Sequence, residues 1–286
     1  MTVTDVNVVK SAIFERPDDA NKGTLGSLLC VCGSYGMAGA AVMSAKGALR
    51  TGIGLAKCAL PRSIYPIVAQ TILESVYYPL SENADGRISK VNVPFLVSES
   101  CKSSATLVGC GLGVCDDTLK IVFSLIENST TPLVLDADAL NCVAKQPEIL
   151  LRKKAPIIIT PHPGEMSRLT GLATPLVNAE RERVALDFAQ KYGVVTVLKG
   201  AGTVIASPNG KVLVNPTGNS GMATGGSGDV LAGMTTSILA QGASPFSYLH
   251  GLAGDIAAEK YGKISMLPTD LINCIPLAYN SVYGGE

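Results

Sequence analysis

The sequence predicts an α/β fold in which a central, mostly parallel β-sheet is flanked by helices on both faces. Short apolar runs of strand length alternate along the chain with longer segments of helical periodicity. Glycine-rich and polar clusters recur directly after the apolar runs, where strands of an open parallel sheet end and ligands bind. We therefore expect a single domain over residues 1–286, with one crevice assembled from several segments.

The composition is that of a folded protein without a charged partner surface. Hydrophobic residues make up 47% of the 286 residues and charged residues 16%, and the formal net charge is zero. The chain therefore lacks the excess of basic residues that is typical of proteins that bind nucleic acid or anionic membranes. The first ten residues do not form a signal peptide, and no apolar run is long enough to span a membrane. With eight cysteines and no CxxC pair, the chain is expected to be a cytoplasmic protein with reduced thiols.

The first half of the chain contains three strand-length apolar runs and two helical patterns. The run Leu28–Cys32 ends at a glycine, and the segment Met37–Leu49, rich in small residues, follows it as a helix. Gly54–Leu60 and Thr106–Gly109 are further strands, and Asp116–Ile126 has helical spacing. This order is typical of a parallel sheet with crossover helices.

The second half begins with two strands. Pro132–Asp136 ends in a carboxylate, and the unbroken apolar run Pro156–Thr160 is typical of a strand covered on both faces. The remaining predicted elements are the helix Glu180–Tyr192, the strand Val194–Leu198, a hairpin of Thr203–Ser207 and Lys211–Asn215, a long helix from near Asp229, and helices near Phe246–Tyr261 and Asp270–Tyr279.

The strongest motif is the glycine-rich segment Asn215–Asp229, which precedes the long apolar helix. Its glycines allow successive N–H groups to face one concavity, and the helix N-terminus adds its dipole, so the segment predicts a phosphate site. One interpretation of Asp229 is that it merely caps the helix. The adjacent glycine cluster favours instead a base that takes a proton from a hydroxyl as phosphate arrives. The segment is not a Walker A loop, because no Gly-Lys-Ser/Thr follows the glycines.

Three further polar motifs follow predicted strands. In Thr160–Leu169, His162 stands between two prolines, which favours ligand contact over a structural role, while Glu165 either caps a helix or orients water or metal. Lys199–Thr203 is either a solvated turn or a site for nucleotide phosphates or ribose. Asp136–Asn141 suits either a hydrated magnesium ion or a capped helix, and the residues alone leave both open.

Together these segments resemble the NAD(P)H-hydrate dehydratase family, a branch of the ribokinase-like fold. The resemblance extends from about Lys22 to Asn280. Its most specific pieces are Lys22–Thr24, Gly33–Ala41, Asp136–Asn141, Thr160–Glu165, Lys199–Thr203 and Gly225–Asp229. Gly-x-Gly-Asp also occurs in many sugar and vitamin kinases, whereas Gly-Met-Ala-Gly-Ala-Ala and His-Pro-Gly-Glu narrow the choice to this family.

The resemblance implies repair of damaged nicotinamide nucleotides. ADP, or ATP in some members, phosphorylates the ring hydroxyl of the S form of hydrated NADH or NADPH. Elimination of phosphate then restores NAD(P)H, with AMP as the other product from ADP. Mg²⁺ is the implied cofactor.

The resemblance also assigns roles to residues. Asp229 would be the base, and Gly228 and its neighbours the anion hole. The nucleotide would lie against Lys199, Gly200, Ala201, Gly202, Thr203, Asn219, Gly225, Gly226, Ser227 and Gly228. The hydrated cofactor would contact Ala40, Gly111, Gly113, His162 and Asp229, and Asp136, Asn141 and Glu165 would reach Mg²⁺ through water. No role falls to Cys110 or Cys115.

Longer family members carry an additional N-terminal epimerase domain. About 25 residues precede the matching core here, too few for such a domain. We therefore expect no epimerase domain, and a separate NAD(P)H-hydrate epimerase as a functional partner. The Ala- and Gly-rich apolar composition also favours a homo-oligomer, with a tetramer as one arrangement.

Two other functions are compatible with the motifs. A small-molecule kinase, such as a hydroxymethylpyrimidine, pyridoxal or hydroxyethylthiazole kinase, would use the same first step and release a stable phosphorylated product. The His162 segment and Met37–Ala41 argue against it. A non-catalytic nucleotide-binding protein is the other alternative, and an intact Asp229 argues against that one because binding alone needs no base.

Overall fold

A ten-stranded sheet forms the centre of the computed structural model, which describes residues 2–4, 6–10, 16–243 and 247–284. The strands are β1 (Thr2–Val3), β2 (Ser27–Val31), β3 (Leu55–Pro61), β4 (Val76–Leu80), β5 (Ala105–Val108), β6 (Leu133–Leu135), β7 (Ile157–Ile159), β8 (Val195–Leu198), β9 (Val204–Ala206) and β10 (Val212–Val214). Their order across the sheet is β1-β10-β9-β8-β7-β6-β5-β2-β3-β4. Neighbours from β8 to β4 run parallel, and β9 is antiparallel to both β8 and β10.

Helices cover both faces of this sheet, as predicted. They are α1 (Val6–Lys10), α2 (Ala38–Arg50), α3 (Tyr65–Thr71), α4 (Val93–Cys101), α5 (Asp116–Asn128), α6 (Asp138–Val143), α7 (Pro163–Thr170), α8 (Thr174–Ala179), α9 (Arg181–Tyr192), α10 (Ser227–Ala240), α11 (Tyr248–Tyr261) and α12 (Pro268–Tyr283). Short 3₁₀ helices occur at Lys90–Asn92, Pro147–Arg152 and Ser220–Met222. No helix among the described residues is long and apolar enough to cross a membrane.

Successive strand residues enter two separate hydrophobic cores. Ile157 and Ile159 pack with residues of α5, α6 and α9, whereas Ile158 packs on the opposite face with residues of α2, α3 and α10. Side chains alternate across a strand, so a strand buried on both faces must be apolar at every position. This explains the unbroken apolar run from which β7 was predicted.

A close contact between α2 and α10 positions the second of these helices. A Cβ atom at Gly47 would stand 2.8 Å from the carbonyl oxygen of Val230, and one at Gly233 would collide with the backbone of Ser44. Both positions therefore require glycine for the two backbones to approach this closely. The contact holds α10 with its N-terminus at the edge of the sheet where the predicted motifs lie.

Most of the predicted strands and helices are confirmed to within two or three residues. The exceptions are elements that the pattern did not indicate, chiefly α3, β4 and α4. The strand β4 lies at the edge of the sheet, contains Pro79 and buries only Leu80 fully, so it lacks the continuous buried run of an inner strand. The predicted helix Phe246–Tyr261 begins at Tyr248, and Phe246 lies outside the described residues.

Candidate active site

Four neighbouring parallel strands end at the same edge of the sheet and deliver the polar motifs to one place. Cys110 follows β5, Asp136 follows β6, His162 follows β7 and Lys199 follows β8. The chain reaches this arrangement only with glycine at position 109, where φ is 132° and a Cβ atom would collide with the carbonyl of Asp136. The crevice expected from the sequence therefore forms at the carboxyl ends of β5 to β8.

A buried ion pair forms the floor of the crevice. Lys199 Nζ lies 2.6 Å from Asp136 Oδ1 and 3.8 Å from Glu165 Oε2. Thr160 Oγ1 also donates to Asp136 Oδ1, at 2.8 Å. Burial by itself lowers the pKa of Lys199, but the charges of the two carboxylates outweigh it and hold the pKa above its usual value. Lys199 is therefore a permanent cation beside the cavity.

Asp229 lies in the first turn of α10, opposite this ion pair. Burial, followed by the negative charge of Asp136, raises the pKa of the Asp229 carboxyl to about 6. Ligand atoms of Asp229, Asp136 and Cys110 all lie within 4.8 Å of one another. A carboxylate with this pKa is a competent general base near neutral pH.

The glycine-rich segment forms the entry to α10. Gly226 precedes the helix with φ of 103°, and a Cβ atom at Gly225 would meet no other atom within 4 Å. At Gly228 a Cβ atom would lie 3.5 Å from Lys199 Nζ, so glycine leaves the space beside the ammonium open. Free N–H groups at the helix start face this space, which suits an anion such as phosphate.

His250, which lies behind this segment, and Asn219, which belongs to it, hold the segment in place. His250 Nε2 lies 3.0 Å from the carbonyl oxygen of Ser227, and burial lowers the pKa of the imidazole to about 4, which leaves it neutral. Asn219 accepts a bond from the Gly221 N–H and donates to Gly254 O and Asp255 Oδ1, at 2.9–3.0 Å. The segment is thus bonded to α11 along its length.

A cavity of about 890 Å³ opens between these elements. Its walls include twelve of the predicted site residues, namely Asp136, His162, Lys199, Gly200, Ala201, Thr203, Asn219, Gly225, Gly226, Ser227, Gly228 and Asp229. Such a volume is that of a nucleotide-sized ligand site. The predicted nucleotide and base residues, except Gly202, are therefore brought together around one space.

Three predicted substrate residues and one predicted nucleotide residue, Gly202, are not among these walls. Ala40 and Gly111 face each other, since a Cβ atom at Gly111 would stand 2.7 Å from that of Ala40. The Gly113 N–H donates to Asp138 Oδ2 at 2.8 Å, and its φ of 72° suits glycine. Gly202, with φ of 65°, turns the chain into β9.

The residues predicted to reach magnesium do not form one set of free ligands. Asn141 Oδ1 accepts from Arg168 Nε at 2.9 Å. Glu165 Oε2 accepts from the His162 N–H at 2.7 Å and completes a capping box at the start of α7. Of the two roles considered for Glu165, the helix cap is the one that the structure contains. Among the described residues, the acidic and thiol groups closest to a metal-ligand arrangement are Asp136, Asp229 and Cys110.

Comparison with known proteins identifies the family. A family model described as NAD(P)H-hydrate dehydratase matches residues 28–277. The chain belongs to the NAD(P)H-hydrate dehydratase family. The matched region contains β3 to β10, all of β2 except Ser27, and every residue of the cavity described above.

Two curated relatives of this dehydratase-family chain illustrate the similarity. A bifunctional NAD(P)H-hydrate repair enzyme of Moorella thermoacetica is 38% identical over 273 residues, which cover 93% of this chain and 52% of that protein. An ADP-dependent (S)-NAD(P)H-hydrate dehydratase of Neisseria meningitidis is 35% identical over 256 residues, which cover 86% of this chain and 82% of that protein. The chain thus spans about half the length of the bifunctional relatives it matches.

Solved structures confirm the ribokinase-like fold. An ADP/ATP-dependent NAD(P)H-hydrate dehydratase of Bacillus subtilis, crystallised with ATP and Mg²⁺, has a TM-score of 0.82 and 28% identity, covering 98% of both chains. A ribokinase-like superfamily protein of Enterococcus faecalis has a TM-score of 0.83 at 24% identity and covers 98% of this chain and 96% of that one.

Sequence reasoning about this dehydratase-family chain missed three residues of the site. Cys110 received no role and His250 was not singled out, because only the fold brings Cys110 close to Asp229 and His250 to the start of α10. Ala137 has φ of 48°, the one positive value at a non-glycine residue in the described part of the chain. Alanine gives no sign of such a conformation, and the strain lies directly beside Asp136.

Proposed function

We propose that this protein is an ADP-dependent (S)-NAD(P)H-hydrate dehydratase. It uses ADP to phosphorylate the ring hydroxyl of hydrated NADH or NADPH, and loss of phosphate then restores NAD(P)H and leaves AMP. The observation that carries the proposal is the position of Asp229. A partly buried carboxyl with a pKa of about 6 stands at a helix N-terminus, within the same cavity as a glycine-rich anion site.

The nucleotide occupies the side of the cavity formed by Lys199–Thr203 and the segment from Asn219 to Gly228 in this proposal. Its terminal phosphate meets the N–H groups at the start of α10, where the helix dipole favours negative charge. The ammonium of Lys199 lies beside that space and stays charged through Asp136 and Glu165. These fixed charges stabilise the phosphoryl group as it moves to the acceptor hydroxyl.

Asp229 removes the hydroxyl proton as the phosphoryl group arrives. The hydrated ring therefore has to lie next to Asp229, between α10 and the residues that follow β5 and β7. His162, whose side chain is half exposed, then contacts the cofactor at the rim. Ala40, Gly111 and Gly113 provide its remaining backbone and apolar contacts in this proposal.

Magnesium fits this site through oxygen ligands and water. Asp136 and Asp229 offer hard carboxylate oxygens, and Mg²⁺ keeps several waters while it binds nucleotide phosphates. The ion would neutralise charge on the phosphates, with Asp136 reached through water. Asn141 and Glu165 would contact it only through further waters, because Arg168 and the His162 backbone already bond their oxygens.

We further propose one ribokinase-like domain, acting in the cytoplasm as a homo-oligomer beside a separate NAD(P)H-hydrate epimerase. Support for the single domain is the continuity of the sheet, whose ten strands are drawn from residues 2–214, and the packing of α10 from the following part of the chain onto that sheet. An epimerase would convert the hydrate of opposite configuration into the one that this site accepts.

The test is recovery of the reduced-nicotinamide absorbance when the protein, Mg²⁺ and hydrated NADH are mixed with ADP or ATP. Recovery only with nucleotide supports the dehydratase, and the faster nucleotide is the donor. No recovery from folded protein would contradict it. A vitamin-precursor kinase is then the alternative, since a hydroxyethylthiazole kinase of Pyrococcus horikoshii shares this fold with a TM-score of 0.62.

A further inference from the structure

Cys110 is a buried thiol that bonds Asp136 and lies close to Asp229, and the proposed reaction does not use it. Its Sγ atom lies 3.6 Å from Asp136 Oδ2, and ligand atoms of Cys110, Asp136 and Asp229 all stand within 4.8 Å of one another. Cys110 and Asp136 are 0% and 1% exposed. These three side chains, called here the thiol–carboxylate cluster, come from the ends of β5 and β6 and the start of α10.

The spacing within this cluster matches the geometry of a zinc site. With a Zn–S bond of ~2.3 Å and a Zn–O bond of ~2.1 Å at the tetrahedral angle, sulfur and oxygen stand about 3.6 Å apart. That is the distance already present between Cys110 Sγ and Asp136 Oδ2. The third ligand is Asp229, whose ligand atom lies within 4.8 Å of those of Cys110 and Asp136. Only a small movement of its side chain towards the other two is needed to bind the same ion.

The charge of the surroundings also favours a cation. Asp136, Glu165 and Asp229 offer three carboxylates, whereas Lys199 supplies one ammonium among them. Lys199 Nζ bonds the Oδ1 atom of Asp136, so the Oδ2 atom that faces Cys110 remains available. Asp136 and Asp229 both line the cavity, which provides the path of entry.

We propose that Cys110, Asp136 and Asp229 form a binding site for Zn²⁺ at the bottom of the cavity. Three protein ligands with water as the fourth give a tetrahedral site that is open towards the cavity. Binding converts the Cys110 thiol to a thiolate and releases its proton to solvent. The thiolate selects Zn²⁺ over Mg²⁺, which prefers oxygen ligands and water.

Zinc in this site would inhibit the dehydratase, because Asp229 would donate its lone pair to the ion instead of accepting a proton. This consequence rests on the proposed function, whereas the binding itself does not. Zinc binding is therefore measured on protein without nucleotide or hydrate. Failure of the dehydratase assay and failure of zinc binding are then separate results.

The experiment titrates the reduced full-length protein with Zn²⁺ in a calorimeter and compares Cys110→Ser with Cys115→Ser. Cys115 is the matched control, since it is a partly exposed thiol near the same edge of the sheet but outside the cluster. We expect one equivalent of Zn²⁺, binding more than tenfold weaker in Cys110→Ser, and unchanged binding in Cys115→Ser. Absence of binding, or equal loss in Cys115→Ser, would overturn the proposal.

A spectroscopic measurement on the unaltered protein covers the case in which Cys110→Ser does not fold. Co²⁺ in place of Zn²⁺ should give a sulfur-to-cobalt charge-transfer band together with the intense visible bands of a tetrahedral ion. Asp229→Asn should weaken both. A Co²⁺ adduct without the charge-transfer band has no thiolate ligand, and the proposed site would then be wrong.

Discussion

The ammonium of Lys199 bonds Asp136 across 63 residues of chain, with 2.6 Å between Nζ and Oδ1. The two side chains are 17% and 2% exposed, so each is the main counter-charge of the other in a poorly solvated place. The pair holds the ends of β6 and β8 at a fixed separation and fixes the charge next to Gly228.

Replacement of Lys199 by Met should therefore destabilise the fold and the nucleotide complex together. It leaves the buried Asp136 unpaired, which we expect to reduce the free energy of unfolding by about 3–5 kcal/mol. Denaturant titration measures this. The matched control is Lys102→Met, because Lys102 is 65% exposed in its ion pair with Glu99 and its loss should cost less than about 1 kcal/mol. Equal effects of the two substitutions would contradict the role given to Lys199.

Asp229→Asn should abolish turnover and yet stabilise the protein. A pKa raised to about 6 in the folded state means that folding opposes ionisation of this carboxyl, and the cost is fully present above pH 6. Removal of the charge should add about 1–3 kcal/mol to the free energy of unfolding at pH 7, and nothing below about pH 4. Asp116→Asn, at the exposed first turn of α5, is the control and should leave turnover intact.

The pH dependence of turnover should follow the same carboxyl. The base form of Asp229 predominates above its pKa of about 6 and is lost as the pH falls through that value. We expect kcat/KM to be constant above pH 7 and to decrease tenfold for each pH unit below about pH 5.5. A profile that stays flat down to pH 5 would remove Asp229 from the role of base.

His250 should make the fold sensitive to mild acid. Its pKa of about 4 in the folded protein lies below the ordinary value of 6.5, so the unfolded chain binds a proton first as the pH falls. Stability should decrease from pH 6.5 to pH 4 by up to about 3 kcal/mol through this group. His250→Gln should show a shallower decrease in denaturation experiments over that range, and an identical slope would contradict the assignment.

Gly228→Val should affect nucleotide binding more than folding. The added side chain would fill the space beside Lys199 Nζ where the phosphate is expected. We expect KM for ADP to increase more than tenfold while the melting temperature changes by only a few degrees. Gly39→Ala is the control, since a Cβ atom at this exposed position of α2 meets nothing within 4 Å and Gly39 does not line the cavity. Loss of the folded state in Gly228→Val would instead make that glycine structural.

Sequence patterns predicted the inner strands and the motifs at their ends, because burial on both faces imposes an apolar run such as Ile157–Ile159. The edge strand β4 was not predicted, because a strand with exposed positions does not need an unbroken apolar run. The pairing of Lys199 with Asp136 and the approach of Cys110 to Asp229 could not be derived, since they depend on which strands are neighbours. The conformation of Ala137 has no sequence signal either, because it follows from the packing around it.

The contact between α2 and α10 determines which substitutions outside the cavity should abolish activity. Gly47 and Gly233 touch no part of the cavity, but the separation of the two helices determines where Asp229 stands. A larger residue at either position would push α10 away from α2 as a rigid body. The carboxylate of Asp229 would then move away from Asp136 and Cys110. Random mutagenesis scored for lost activity should therefore recover changes deep in this helix pair as readily as changes in the cavity walls.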